Sequence, residues 1–170
     1  QCMSRYFFRN PDKLLEKIRG DDALYFEFQW YYRLPSEAFF DIGQLLHCTD
    51  VMINASDSDA DKVTLVGSIL GKAPDGDDGI FPIETVRKLL KIKKNEELTT
   101  AVARGKINSL GLRDVEDGKK EREKSDIYKM QARAMEIDYP QTSVILRILA
   151  NFYERESKRD QISSEIEPLQ

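Results

Sequence analysis

The sequence predicts an all-α fold of about seven helices, packed as a compact bundle or a short stack of helix pairs and ending in an antiparallel helical hairpin. Three observations predict it. Apolar residues recur at three- and four-residue spacing along most of the chain. Proline, glycine and cap-forming residues bracket those runs, and no series of alternating strands appears.

Near the N-terminus, Asn10-Pro11 reads as an N-cap followed by proline at the first helical position, with Leu14, Leu15 and Ile18 on one face and Gly20 at the stop. A second helix starts near Asp21 or Asp22 and crosses an aromatic segment to Leu34, where Pro35 prevents continuation. Ser36 caps a third, with Phe39, Phe40, Ile42, Leu45 and Leu46 as its apolar surface. The stretch Val51, Met52, Ile53 reads as a short extended piece. Positions 59–70 carry Val63, Val66, Ile69 and Leu70 at helical spacing, and 73–79, rich in Gly, Pro and Asp, is a loop.

From Pro82 a helix follows Ile83, Val86, Leu89 and Leu90, and another runs from Asn95 or Glu96 to about Asn108. Ile127, Met130, Ala134 and Ile137 form the apolar side of a helix that ends around Tyr139-Pro140, because the residue before proline is pushed out of the α region. Thr142 is expected to cap the last helix, whose stripe is Val144, Ile145, Ile148, Leu149, Phe152 and Tyr153. The short connection makes these two an antiparallel hairpin. Residues 154–161 have no apolar anchor and are expected to project into solvent or meet a partner.

A chain of 170 residues, 41% hydrophobic and 33% charged, suffices for one core, so residues 1–170 are read as a single helical domain, alone or as a module of a larger protein. Cys2 and Cys48 are too few for a disulfide framework, which suits a reducing, cytoplasmic setting. No stretch approaches the ~20 apolar residues of a membrane helix. A net charge of -4 argues against a generally basic nucleic-acid surface, leaving only a local patch at Lys88, Lys91, Lys93 and Lys94.

His47 is the only histidine, and its neighbour Cys48 lies about 100° away around a helix, a poor arrangement for a nucleophile and its base. Asp57, Asp59 and Asp61, and Asp75, Asp77 and Asp78, are oxygen-rich but lack calcium-loop spacing, since Lys62 and Ser68 stand where Gly and Glu are needed. Solvated caps and loops account for them. Gly67, Gly71 and Lys72 miss the spacing of a phosphate loop, and Ala101, Gly105 and Leu110 make a capped bend rather than a DNA-reading turn. Tyr25, Phe26, Phe28, Trp30, Tyr31 and Tyr32 cover more than one helical face, so the cluster is expected mainly in the core, with part, Trp30 included, facing a groove or neighbouring domain. Catalytic residues, metal ligands and cofactors are not indicated.

The last third carries a longer pattern: Asn108 and Gly111, an acidic turn at Asp117-Gly118, Glu121-Arg122-Glu123, Tyr128, the corner Tyr139, Pro140, Thr142, and Leu146, Arg147, Ala150, Tyr153, Glu154 and Glu156. Over 106–165 it resembles the C-terminal helical region of a group of bacterial proteins of uncharacterised function. The group has paired glycines where Asp117-Gly118 stands, and Arg and Ala where Gln141 and Ser143 flank Thr142. Glu121, Arg122 and Glu123 read first as a charged, exposed helix start; the functional alternative, which the resemblance favours, is that Asn108, Glu116, Gly118, Glu121 and Arg122 form a polar surface beside a glycine turn, suited to a peptide or another subunit. The function expected is a non-catalytic helical interaction or scaffold module with a protein partner or adjacent domain. The alternative is a divalent-metal-dependent hydrolase using the acidic loops.

Overall fold

Six α-helices and no strands make up the described part of the computed structural model, which covers Lys13 and residues 42–54, 59–110 and 118–166. They are α1 (Ile42–Asn54), α2 (Asp59–Leu70), α3 (Glu84–Lys93), α4 (Glu96–Asn108), α5 (Lys119–Met135) and α6 (Pro140–Ile166). Apart from Lys13, the helices expected before residue 36, the start of the third and Trp30 lie outside the described residues.

Helix ends follow local chemistry. Asn95 caps α4, its side chain accepting from the Leu98 amide at 2.8 Å, and Glu96, Glu97 and Lys106 complement the helix dipole. Helix α3 has Glu84 in its first turn and Lys91 and Lys93 in its last, and stops where Lys94 turns left-handed at φ 49°.

Two sequence expectations are corrected. Val51 to Ile53 is helical, inside α1, because Leu45, Cys48, Thr49 and Met52 at helical spacing are all buried, and that packing overrides β-branched propensity. Thr142 is not a cap: α6 already begins at Pro140, whose missing N–H costs nothing at the first helical position, and Thr142 is buried within the first turn.

The core joins Leu45 and Met52 of α1 to Val63, Val66, Ile69 and Leu70 of α2, Val86, Leu89 and Leu90 of α3, Leu98 and Val102 of α4, and Ile145 and Leu149 of α6. Phe81, from the loop before α3, fills its edge. Helix α6 packs on α3, α4 and α5, whereas α5 packs chiefly on α6.

Two helix pairs approach unusually closely. A methyl group on Gly67 of α2 would fall 2.2 Å from the Ala101 Cβ of α4, and one on Gly105 would fall 2.6 Å from the Gly67 carbonyl oxygen. Gly67 and Gly71 thus face Ala101 and Gly105, a small residue every fourth position on each side, which lets the backbones touch. The residues that resembled fragments of a phosphate loop and a DNA-reading turn are one helix crossing.

The α5–α6 hairpin closes by a different device. Gly118, Ser125 and Ala132 on α5 meet Ser157, Ala150 and Ser143 on α6, one small pair every seven residues. In every pair the serine hydroxyl donates across to the opposite carbonyl: Ser157 to Gly118 at 2.8 Å, Ser125 to Ala150 at 3.0 Å and Ser143 to Ala132 at 2.8 Å. Carbonyl oxygens already in the helix ladder keep a second lone pair, so the seam satisfies buried hydroxyls without breaking either helix. Residues 154–161 therefore do not simply project: Ser157 and Asp160 are buried, the former as a seam member.

Candidate functional site

The seam decides what α5 shows to solvent. Ile127, Met130 and Ala134 lie about 140–180° around the helix from Ser125, on the side away from α6, and Ile137 follows in the turn after α5. Ile127 is 47% exposed, Met130 63% and Ile137 91%, so the stripe expected to be core faces outward. The reason is steric. Where serine-to-carbonyl bonds join the two helices, at positions 118, 125 and 132, only Gly, Ser and Ala stand between them, and Ile127 and Met130 lie on the far side of α5. Of the larger α5 residues, Glu121 is buried near the N-terminal end, and Tyr128 turns inward, stacked on Tyr153 with ring centroids 5.7 Å apart. Burial raises the Tyr128 hydroxyl to a pKa of about 12, assisted by Tyr153 and Asp75.

One edge of the stripe carries Asp126 and Arg133, both exposed. Between them and α6, Lys129 pairs with Glu154 at 3.0 Å and with Asp126 at 3.7 Å. Hydrogen bonds from Lys129 and then Lys158 hold the Glu154 carboxyl below its ordinary range.

The acidic loop before α3 is held rather than open. Arg87 is 3% exposed and clasps Asp78 with two bonds of 2.7 Å. It also donates to the Pro82 carbonyl at 2.5 Å and to the Ile80 carbonyl. Asp75 faces Lys106 at 3.6 Å, and the same ammonium lies 4.2 Å from the Phe81 ring centroid. Gln131 of α5 donates to the Gly79 carbonyl at 3.2 Å, tying the hairpin to this loop. Among the described residues no group of three or more His, Cys, Asp or Glu is placed to hold a metal ion. Asp57 lies outside them.

The polar surface expected from sequence is only partly assembled. Gly118 and Glu121 are buried at the start of α5, while Arg122 beside them and Asn108 at the end of α4 are exposed. Gly118 serves the seam: its φ is 72°, and a Cβ there would lie 2.5 Å from the Ser157 carbonyl oxygen. Glu116, like Trp30, lies outside the described residues. His47 is exposed and Cys48 buried, so the two diverge. The lysine patch is engaged too: Lys88 pairs with Glu84 at 3.0 Å, Lys93 with Asp50, and Lys91 lies over the Tyr139 ring.

Two features escaped the sequence reading. Arg87 stands on the apolar register of α3, four residues after Ile83 and three before Leu90, and a cation in that register signals a buried clamp. The seam was visible as small residues seven apart, 118–125–132 and 143–150–157. Among the described residues no helix is long and apolar enough to cross a membrane. Compared with protein-family models, curated proteins and solved structures, the chain matches none.

Proposed function

We propose that the chain is a non-catalytic helical interaction module of the cytoplasm whose contact surface is the outer face of α5. The observation that supports this reading is the exposure of Ile127 and Met130 on one side of a helix anchored by its other side, with Ile137 exposed in the turn that follows. Fully covering an Ile or Met side chain contributes about 1.5–3 kcal/mol, so a partner covering this stripe gains appreciable binding energy. A rigid, pre-formed helix face also avoids the ordering cost of a flexible peptide. For the metal-hydrolase alternative, Asp75 and Asp78 of its second acidic loop are taken up by Lys106 and Arg87.

The test is quantitative affinity purification with the wild-type chain and an Ile127→Lys/Met130→Lys double variant as parallel baits. The expected result is a protein retained by the first and lost by the second at equal helicity. Identical retention by both baits would contradict the assignment of the face.

A further inference from the structure

We propose that the outer face of α5 pairs with the same face of a second copy of the chain, antiparallel, about a two-fold axis passing between Lys129 and Met130. The inference rests on the reading of this face as a contact surface and names its occupant. The argument is one of charge complementarity. Asp126 and Arg133 are seven residues apart, so at 100° per residue they stand within about 20° of each other, on the same edge of the apolar stripe. When two such helices run antiparallel, equivalent edges meet, and an axis between Lys129 and Met130 sets Asp126 of one copy opposite Arg133 of the other. Two-fold symmetry repeats the contact, giving two opposite-charge pairs from one pair of residues.

The same axis packs the apolar stripe on itself. Met130 meets Met130 at the centre, where its unbranched side chain adapts to its symmetry mate, and Ile127 covers the space over Ala134. A shift of one helical turn would lose both Asp126–Arg133 pairs, so charge favours this register. Asp126 also reaches Lys129 of its own helix at 3.7 Å, a long contact that leaves the carboxylate 66% exposed for a neighbour.

Sedimentation velocity of the full chain over a range of concentrations tests this, with dichroism confirming that each variant keeps its helix content. The wild type is expected to form dimers. Met130→Lys, Asp126→Arg and Arg133→Asp should each weaken dimerisation about tenfold or more, because each puts like charges or a buried cation at the axis. The exchange Asp126→Arg/Arg133→Asp should recover to within about threefold of wild type. A wild type that stays monomeric, a Met130→Lys variant that dimerises normally, or an exchange no better than its single changes would overturn the proposal. If the wild type is monomeric yet the double-lysine bait still loses a purified partner, self-pairing fails while the interaction-module reading stands.

Discussion

Arg87 shows how one side chain organises a loop. Its guanidinium serves a carboxylate and two backbone carbonyls, all within the turn that carries Phe81 into the core. Hydrogen bonding from Arg87 brings the Asp78 carboxyl down to about 2 against the opposing effect of burial. Because the folded value lies below the unfolded one, the stabilisation is complete above about pH 4 and is lost as pH falls towards 2. The Asp78 side chain is 45% exposed, so solvent screening limits its contribution to about 1 kcal/mol or less. In urea melts the gap between wild type and Asp78→Asn should be constant above pH 5 and close towards pH 2; a gap independent of pH would show that the carboxylate charge is not what matters. Arg87→Met should cost more, about 2–4 kcal/mol, since it strands two carbonyls as well as the carboxylate. Equal melts for Arg87→Met and Asp78→Asn would contradict the clamp.

At the scale of the element, backbone proximity sets what is tolerated. Gly105→Ala places a methyl 2.6 Å from the Gly67 carbonyl and 2.8 Å from the Ser68 Cα, so α2 and α4 must separate, at about 1–3 kcal/mol. Gly118→Ala combines a similar clash with a left-handed φ of 72° and should cost at least as much. Thermal melts near wild type for both would refute the close packing. Truncation before Ser157 removes a seam pair and the buried Asp160, and should lower the melting temperature by several degrees rather than trim a solvated tail. The boundaries of α2 and α4 and the Asn95 cap were legible because one residue chemistry determines each. The buried face of α5 was not, because periodicity weights Ile127 and Met130 by their size, while the packing selects Ser125 and Ala132 for their lack of it. Phe152 is likewise only half-buried, and Tyr153 takes the core position.

For the molecule as a whole, the all-α architecture and its terminal hairpin follow from patterning, but the direction in which the hairpin turns its bulky side follows from the seam. The binding residues expected from sequence met the same obstacle: Gly118 and Glu121 are polar or small and near a turn, yet both are buried. The central claim is that α5 is held by Gly118, Ser125 and Ala132 and presents Ile127 and Met130 outward. Chemical unfolding at low micromolar concentration of Ile127→Lys/Met130→Lys beside Ser125→Leu tests it most directly. The expected result is a double-lysine variant within about 1 kcal/mol of wild type and a Ser125→Leu variant destabilised by about 2 kcal/mol or more, since only the latter forces a large side chain between close-packed helices. A double-lysine variant that unfolds while Ser125→Leu is tolerated would mean that the apolar stripe is the buried face and the seam is not.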